Sequence, residues 1–367
     1  MDYRRLPIEI ESPEERGYET IANNLTESSV RDLSFGDLDL DLSDLVLAYG
    51  DHRGEPGLRE LIAADAGPGI TADQVLTAPG AAAALFFVAT SLLGPGDHAV
   101  IQHTNYSTNL ETPRLLGAEI TPIALRFSDR FEMDIDQVAA LVRPGVTKLI
   151  SITVPHNPTG TMPPLADLHR LVELAESSGA WLLVDETYRG LTHDEPYPSA
   201  ATLSDRAISV CSLSKSFGLP GIRLGWAVTT DTAMAERLLA AKEQVVICTS
   251  VLDEAVAGAA LGSAGRLLPP IRTMCTEHRA IVSDWMAEQT LVSWVEPTGG
   301  VVCFPRLDDA VDPNRFIAVL NEAGTFVGEG HWFDADARHF RLGYGWPTTD
   351  ELRAGLAGIT AAACARL

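Results

Sequence analysis

The residues with the clearest chemical potential lie in one segment, Ser212-Leu-Ser-Lys215-Ser-Phe-Gly-Leu-Pro-Gly221-Ile-Arg223-Leu-Gly-Trp226. Its lysine is preceded by hydroxyl residues and followed by glycines and a single arginine. Lysine is the side chain that condenses with carbonyl compounds, and arginine offers a planar fork for phosphate. The segment therefore predicts a site that holds a phosphorylated aldehyde and forms an imine with it. An exposed lysine in a Gly/Ser/Pro loop is the alternative, so the rest of the sequence must decide.

Three further segments contain residue types that suit the same kind of ligand. Residues Thr77–Leu85 (TAPGAAAAL) open a predicted helix, whose free N–H groups can bind an anion. Residues Pro155–Gly160 (PHNPTG) offer the Asn157 amide as a donor to a phenolate-type oxygen. Residues Asp185–Gly190 (DETYRG) place an acid directly after an apolar strand. Taken singly, each segment is also explained by close packing, a turn or a helix N-cap, so only their combination indicates a site.

Alternating strands and helices between about 75 and 245 must position these segments. The short β-rich runs are His98–Gln102, Leu149–Val154, Trp181–Val184, Ala207–Cys211 and Leu224–Val228. A helix is predicted over Leu165–Ser178, with one apolar face formed by Leu165, Leu168, Leu171, Val172 and Ala175. Near-continuous apolar strands between helices predict an α/β fold, with a mostly parallel sheet sandwiched by helices. Ligands of such sheets bind at the carboxyl ends of the strands, where Asp185 lies.

The pattern changes after about residue 260. The predicted elements there are helix Leu267–Gln289, the strand-rich segment Leu291–Arg306, helix Pro313–Ala323, strand His339–Gly343 and a last helix that begins with the capping-box pattern Thr348–Glu351. We predict three regions. They are an irregular N-terminal segment (1–45) packed on the small domain and the active site, a large ligand-binding domain (46–245) and a small α+β C-terminal domain (246–367).

The ordered set Gly80, Tyr106, Asn157, Asp185, Tyr188, Lys215 and Arg223 resembles the fold-type I pyridoxal-phosphate (PLP) enzymes, and more narrowly the class I/II aminotransferase family. The motifs behind the resemblance are N-P-T-G, D-x-x-Y and S-x-S-K-x-x-x-x-x-G-x-R-x-G-W. The resemblance extends from about residue 20 to the end of the chain. It implies a seven-stranded-type sheet, pyridoxal 5'-phosphate as cofactor, an α-amino acid substrate and a homodimer with sites at the subunit interface.

The resemblance also implies a role for each residue. Lys215 would form the Schiff base and shuttle a proton through a quinonoid intermediate, with Asp185 paired to the pyridine nitrogen. Tyr188 and Asn157 would hydrogen-bond the 3-oxygen of the ring. The residues assigned to the phosphate are Gly80, Ala81, Ala82, Ser212 and Arg223, joined by Tyr49 from the neighbouring subunit. Tyr106 would stack on the ring, with a core tyrosine as the alternative, and Arg341 would clamp the substrate α-carboxylate.

Three positions depart from the common amino-acid aminotransferase pattern. The N-terminal strip Asn24–Ser29 is polar where glycines are usual, Asn109 stands where a second aromatic is common, and the loop Gly328–Phe333 contains an acid, a histidine and a tryptophan. We interpret these departures, together with Asn157, as substrate contacts made by Thr26, Glu27, Asn109, Asn157 and His331. A neutral surface change is the alternative for each departure. Together they indicate a polar substrate, either large or cationic.

An aminotransferase is the simplest function that fits these residues. The polar strip also resembles that of PLP-dependent arginine oxidases and cyclases of antibiotic pathways, although no histidine follows Glu27 before His52. The alternative is therefore a C–S lyase, a decarboxylating or oxidative deaminase, or a cyclase of a modified amino acid in specialised metabolism. A ligand-sensing regulator on the same fold would need a basic DNA-binding extension, and the first 45 residues lean acidic.

Composition limits the partners and the compartment. The 367 residues contain 27 Lys and Arg against 50 Asp and Glu, a net charge of −23, which argues against nucleic acid and anionic membranes as partners. Five scattered cysteines without a C-x-x-C pair predict free thiols, and the histidine spacing predicts no metal. The N-terminus lacks an apolar signal core, and the longest apolar stretch, Ala81–Leu93, is too short for a bilayer. We expect a cytoplasmic protein.

Overall fold

A computed structural model describes residues 2–193 and 197–365 of the chain. Its helices are α1 (Pro7–Glu11), α2 (Pro13–Arg16), α3 (Pro56–Ala66), α4 (Gly80–Leu92), α5 (Ser107–Leu115), α6 (Ile135–Leu141), α7 (Leu165–Ser178), α8 (Leu213–Ser216), α9 (Thr232–Glu243), α10 (Val251–Gly262), α11 (Ala264–Ala287), α12 (Pro313–Glu322) and α13 (Thr349–Cys364). Its strands are β1 (Asn23–Asn24), β2 (Val75–Ala78), β3 (His98–His103), β4 (Glu119–Ala124), β5 (Thr147–Thr153), β6 (Trp181–Asp185), β7 (Ala207–Ser212), β8 (Gly225–Val228), β9 (Val292–Ser293), β10 (Val302–Cys303), β11 (Arg306–Leu307), β12 (Thr325–Phe326), β13 (Gly328–Glu329) and β14 (Phe340–Gly343).

A seven-stranded sheet of order β2-β8-β7-β6-β5-β3-β4 forms the centre of the large domain. Strand β8 is antiparallel to both of its neighbours, and the pairs among β7, β6, β5, β3 and β4 are all parallel. Parallel neighbours need crossover connections, and the helices that supply them cover the two faces of the sheet. The predicted α/β fold with a mostly parallel sheet is confirmed.

Alternation along β6 shows how the two faces are buried. Leu182 and Val184 pack into an apolar cluster with residues of α6 and α7, whereas Leu183 packs into a second cluster with residues of α4 and α9. Successive side chains of a strand point to opposite faces, so a strand covered on both sides must be apolar throughout. Asp185, the polar residue of this strand, comes at its carboxyl end, where the two covering layers part.

Helix α7 has the bounds predicted from its periodicity. Leu168, Leu171, Val172 and Ala175 are buried, and Gly179 caps the carboxyl end in the left-handed conformation (φ 76°). Leu165, which the sequence pattern also assigned to the apolar face, is exposed. It is the first helical residue and follows the Pro163–Pro164 turn, so it lies beyond the part of the helix that contacts the sheet.

The carboxyl-terminal part is an α+β layer. Strands β13 and β10 pair antiparallel with β14, and α11, α12 and α13 pack on them around a core that includes Val282, Phe316, Leu342 and Leu356. Helix α10 instead shares a core cluster with α3 of the large domain, and so do Leu267 and Leu268 in the first turns of α11. We therefore propose that the domain boundary falls within α11, after Leu268 and later than the predicted 245.

The N-terminal segment contains more regular structure than predicted. The sequence indicated irregular chain up to about 45, yet α1 and α2 lie within it, and each begins with a proline at its first helical position. Elements of five and four residues are too short to show helical periodicity, which is why the pattern missed them. Strand β1 pairs in parallel with β12, so this segment is joined to the small domain.

Candidate active site

A cavity of about 400 Å³ opens at the carboxyl ends of β5, β6 and β7, beside the first turn of α4. Twelve of the sixteen predicted site residues line it, namely Thr26, Glu27, Ala81, Ala82, Tyr106, Asn157, Asp185, Tyr188, Ser212, Lys215, Arg223 and Arg341. The other four, Gly80, Tyr49, Asn109 and His331, lie outside its lining. Residues distant in sequence meet here because the parallel strands all end at the same edge of the sheet.

Lys215 lies on the short helix α8, which follows β7 directly. The Ser212 hydroxyl caps this helix by accepting a hydrogen bond from Ser214 N (3.4 Å). Burial lowers the pKa of Lys215, while the nearby Glu27 carboxylate acts in the opposite direction. A lysine whose pKa is lowered supplies a neutral amine, the form that attacks a carbonyl and accepts a proton.

Asp185 is buried at the end of β6, and its Oδ1 accepts hydrogen bonds from Thr187 N (3.1 Å) and Thr187 Oγ1 (2.6 Å). Burial raises the pKa of Asp185, and the two bonds from Thr187 lower it. The Asn109 amide lowers it as well. Asn109 had been predicted to contact the substrate. It is instead buried outside the cavity lining, and its Nδ2 donates to Asn105 Oδ1 (3.1 Å).

The first turn of α4 and Arg223 form a cradle for an anion. Gly80 begins the helix with a φ of 78°, and a Cβ at this position would lie 2.7 Å from Arg223 Nη2, so the guanidinium lies against the glycine. The first N–H groups of a helix lack intrahelical partners and attract phosphate. Ala81 and Ala82 line the cavity next to them. This arrangement fits the phosphate of pyridoxal phosphate, and only glycine leaves space for the guanidinium.

Arg341 on β14 is 5 % exposed and lines the opposite side of the cavity. Its Nη1 donates to Asn157 Oδ1 (3.0 Å) and its Nη2 donates to Thr26 O (2.6 Å). Its Nε is buried and has no hydrogen-bond partner among the residues that the structure describes. An unsatisfied guanidinium N–H beside a cavity indicates a missing acceptor, and a carboxylate is the acceptor that matches its geometry.

Three hydrogen-bonding or aromatic side chains complete the ring-sized part of the cavity. The Asn157 oxygen accepts from Arg341, which leaves its NH₂ group available to donate. Burial raises the pKa of Tyr188 to about 12, so this phenol stays protonated at neutral pH. Tyr106 precedes α5, lines the cavity and is 41 % exposed, so it is not a core tyrosine. The set offers two donors and one aromatic face to a hydroxylated aromatic ring.

The mouth of the cavity is acidic. Glu27 accepts a hydrogen bond from the Tyr18 hydroxyl (3.0 Å), and burial raises the pKa of Glu27 while Lys215 lowers it. Two carboxylates that sequence reasoning missed, Glu9 on α1 and Glu14 on α2, also line the cavity. Glu9 is already used, since it accepts from the Ser107 hydroxyl and from a backbone N–H. The acidic residues between 9 and 15 are evident in the sequence. Which of their side chains reach the cavity depends on α1 and α2, and these two helices are too short to be predicted.

His331 does not reach the cavity. Its Nε2 is 2.9 Å from Glu11 Oε2 and its Nδ1 is 3.4 Å from Glu329, and it lines a neighbouring cavity that Tyr106 and Asn157 also border. The following residue, Trp332, lines the cavity and donates its indole N–H to the same Glu11 oxygen. The substrate role of His331 stays a prediction, and the 3₁₀ turn over Gly330–Phe333 places its neighbour Trp332 in the lining of the cavity. Glu11 fastens α1 to this loop.

Tyr49 is 83 % exposed and lies outside the cavity lining. Its assignment to the phosphate of a neighbouring subunit stays a prediction. In the described residues, no cluster of three or more His, Cys, Asp or Glu has the arrangement of a metal site. All five cysteines are free, and no helix of the described chain combines the length and apolarity needed to cross a membrane.

Comparison with known proteins agrees with this geometry. The family described as Aminotransferase class I and II matches residues 36–359. Capreomycidine synthase of Streptomyces vinaceus is 31 % identical over 350 residues, covering 92 % of this chain and 88 % of the relative. Arginine–pyruvate transaminase AruH of Pseudomonas aeruginosa is 31 % identical over 341 residues, covering 85 % and 84 %.

Solved structures show the same relationship. A PLP-dependent aminotransferase from Streptococcus suis superposes with a TM-score of 0.91 at 28 % identity, covering 99 % of this chain and 98 % of the other. The PLP-dependent cyclase OrfR has a TM-score of 0.87 at 30 % identity, covering 98 % of both chains. The resemblance inferred from the motifs is thereby confirmed. The chain belongs to the class I and II aminotransferase family and is a pyridoxal-phosphate-dependent enzyme.

Proposed function

We propose that the enzyme transaminates an α-amino acid with a cationic side chain. The observation that supports this most directly is the charge arrangement of the cavity, in which the buried Arg341 guanidinium faces an acidic mouth formed by Glu14 and Glu27. An amino acid with a positively charged side chain can place its α-carboxylate on Arg341 and its charged end beside Glu14 and Glu27. The similarity to an arginine–pyruvate transaminase over 85 % of this chain supports the same substrate class.

Bound pyridoxal phosphate supplies a carbonyl that condenses with amines and a conjugated ring that accepts the electron pair left at Cα. The protein's own residues perform the remaining tasks. Arg341 binds the α-carboxylate and fixes the orientation of Cα. Lys215 Nζ, whose pKa is lowered by burial, takes the proton from Cα and holds it for return. Trp332 and Tyr106 line the cavity and offer aromatic surface to a bound ring.

The charge balance of the cavity supports a cationic substrate. Arg223 is matched by the cofactor phosphate, Arg341 by the substrate carboxylate, and the Lys215 amine by the aldehyde. Glu14 and Glu27 are then the carboxylates left unmatched in this balance, and Glu27 accepts a hydrogen bond from the Tyr18 hydroxyl. Their mutual repulsion raises the pKa of Glu27 beyond the effect of burial. A guanidinium or ammonium group offers donors to both carboxylates and removes this repulsion.

Cyclisation of a guanidino amino acid in specialised metabolism is the second candidate. Its support is the similarity to capreomycidine synthase and to the cyclase OrfR, at 31 % and 30 % identity over nearly the whole chain. The same residues would bind the substrate and remove the Cα proton in both reactions. The candidates differ in their later steps, because transamination consumes the aldehyde form of the cofactor and cyclisation returns it.

We also propose a cytoplasmic homodimer. Six large apolar side chains are exposed on two neighbouring segments, Val46, Leu47 and Tyr49 on one, and Val245, Ile247 and Leu252 on the other. The segments are adjacent, since a Cβ on Gly50 would lie 3.3 Å from Val251. An apolar patch of this size suits a symmetric interface between two copies. Five free thiols suit a reducing compartment. Light scattering that gives a dimer mass would support the interface, and a monomer would contradict it.

The reaction can be tested by incubating the protein, loaded with pyridoxal phosphate, with arginine, lysine, alanine and citrulline, the neutral analogue of arginine. Transamination predicts conversion of bound cofactor to pyridoxamine phosphate with one equivalent of oxo acid, fastest for arginine or lysine. Ammonia release, oxygen uptake or a ring product with the aldehyde regenerated would replace transamination by the second candidate. Lys215→Ala should abolish the visible absorption band of the wild type, and a retained band would refute the role of this lysine.

A further inference from the structure

A stack of three side chains lies beside the Glu27 carboxylate, outside the lining of the cavity. Tyr18 begins the 3₁₀ turn that follows α2, and its ring stacks on the indole of Trp346, with the ring centroids 6.1 Å apart and the planes at 22°. The Arg31 guanidinium lies over the same indole, 4.6 Å from its centroid. We call these three residues the aromatic stack.

Trp346 is held at its ring and at its backbone. Its indole N–H donates to Asp32 Oδ2 (3.0 Å), and its carbonyl oxygen accepts from Arg31 Nε (3.0 Å). Arg31 also forms an ion pair with Glu351 in the first turn of α13 (2.6 Å). These contacts tie the indole to the small domain, so the ring of Tyr18 rests on a surface that is held at several points.

The hydroxyl end of Tyr18 reaches Glu27. It donates a hydrogen bond to Glu27 Oε1 (3.0 Å). Burial raises the pKa of Tyr18, and the carboxylates of Glu27 and Glu14 raise it further, so the phenol keeps its proton and remains a donor at neutral pH. Because the ring is placed by the stack, the position of this donor is fixed, and the Glu27 carboxylate takes its orientation from it.

The groups that act on Glu27 differ in whether a substrate occupies them. Burial raises the pKa of Glu27, Lys215 lowers it and Glu14 raises it. The hydrogen bond from Tyr18 and the charge of Arg341 also lower it. Under the proposed function, Lys215 serves the cofactor and Arg341 binds the substrate carboxylate. Tyr18 is then the group of this set that stays assigned to the ionised form of Glu27 when the substrate is bound.

We propose that Tyr18 is a positioning residue that holds the Glu27 carboxylate ionised and in place at the mouth of the cavity, and so sets the preference for a cationic over a neutral side chain. This inference rests on the proposed recognition of a cationic substrate. It holds for transamination and for cyclisation, because both reactions bind the same side chain. The sequence does not single out Tyr18, since none of the motifs contains it.

The loss of the Tyr18 hydroxyl has an effect of definite sign. A hydrogen bond donated to a carboxylate stabilises the anion, so its removal raises the pKa of Glu27. The carboxyl is ionised only above its pKa, so the pH above which arginine is preferred moves upward. Citrulline has no charged end, so its kcat/KM depends little on the ionisation of Glu27.

The test uses Tyr18→Phe, which keeps the ring on Trp346 and removes the hydroxyl. Two quantities are followed against pH in the enzyme loaded with pyridoxal phosphate. One is the NMR shift of the Glu27 carboxyl carbon in isotope-labelled protein, identified by its absence in Glu27→Gln, and the other is the ratio of kcat/KM for arginine to that for citrulline. We expect both midpoints to rise by about half to one pH unit, and the ratio at the wild-type midpoint to fall about two- to fivefold.

The matched control is Tyr197→Phe. The hydroxyl of Tyr197 also donates a hydrogen bond, to Pro163 O (3.0 Å), but this tyrosine does not line the cavity and does not contact Glu27. Both midpoints should therefore stay at their wild-type values in this variant. Thermal unfolding of Tyr18→Phe and Tyr197→Phe separates a loss of stability from a change in the ionisation of Glu27.

Two further variants test the route of the effect. In enzyme that already carries Glu27→Gln, Tyr18→Phe should leave the substrate ratio unchanged, because no carboxylate remains to be held. An equal fall in both backgrounds would show that Tyr18 acts on the substrate by another route and would overturn the inference. Trp346→Leu removes the ring on which Tyr18 rests and should raise the carboxyl midpoint in the same direction. No rise in Trp346→Leu would contradict positioning by the stack.

The two measurements separate this inference from the proposed function. An unchanged carboxyl midpoint in Tyr18→Phe would overturn the inference even where the wild type prefers arginine. A wild type with equal kcat/KM for arginine and citrulline would refute the proposed substrate class and the effect of Tyr18 on it. In that case the carboxyl midpoint still decides whether Tyr18 holds Glu27 in its ionised form.

Discussion

Replacing Glu27 by glutamine tests the proposed recognition of a cationic side chain. The substitution keeps the size of the side chain and its hydrogen bond from Tyr18, but removes one of the two unmatched charges at the mouth. A hydrogen bond to a charged group contributes about 1.5–3 kcal/mol, which corresponds to a factor of roughly 10–150 in kcat/KM. Glu27 is half-buried, so solvent weakens its interactions and the lower half of this range is expected.

The assay compares kcat/KM for arginine and for citrulline, which differ only in the charged end. Glu27→Gln should lose the preference for arginine and leave citrulline nearly unchanged. The control is Glu15→Gln on the same helix as Glu14, because Glu15 forms an ion pair with Arg5 and does not line the cavity. An equal loss for both substrates would show that Glu27 shapes the cavity and does not recognise charge. Equal kcat/KM values for the wild type and Glu27→Gln would show that Glu27 does not contact the substrate.

The pH dependence of the same ratio provides a second check on Glu27. Burial raises the pKa of this carboxyl, and only the ionised form attracts a cation. The preference of the wild type for arginine is therefore present above this raised pKa and is lost as the pH falls through it. Glu27→Gln should have a low preference that does not vary in this way. A wild-type preference that is constant from neutral pH down to the ordinary glutamate range would refute the reasoning.

Two further substitutions test the cofactor cradle and the buried charge nearby. Gly80→Ala places a Cβ against the Arg223 guanidinium at a positive φ, so the dissociation constant for pyridoxal phosphate should rise about tenfold, as measured by absorbance titration. Gly96→Ala has a similar φ of 82° with open space around its Cβ, so it should lose stability but not cofactor affinity, and equal affinities in the two variants would contradict the cradle. Burial lowers the pKa of Lys242 from 10.5 to about 8, so between these pH values the unfolded chain binds more protons and this group makes stability increase with pH. Denaturant unfolding at fixed protein concentration should show that Lys242→Met loses up to about 3 kcal/mol of this increase, and identical pH slopes would contradict it.

The sequence predicted the fold and the pyridoxal-phosphate dependence because both depend on local signals, and most of the residues predicted to bind the cofactor line one cavity. The apolar strand before Asp185 and the glycine before the alanine run fix positions at one sheet edge once the topology is known. The substrate side was harder. Whether Asn109 lines the cavity or bonds to Asn105 depends on the rotation of α5, and whether His331 or Trp332 lines the cavity depends on one 3₁₀ turn. Residue type and spacing determine neither the rotation of α5 nor the geometry of this turn.

Because the N-terminal segment is attached to the small domain, two different parts of the chain contribute residues to the cavity. Strand β1 pairs with β12 and Glu11 fastens α1 to the loop 328–333, so the acidic mouth and Arg341 belong to the same side. Lys215 and Asp185, together with the cradle at Gly80, belong to the central sheet. Under the proposed function, the groups that select the substrate and the groups that hold the cofactor therefore lie on different parts of the chain. Substitutions in the N-terminal segment are then expected to change substrate preference and to leave cofactor affinity unchanged.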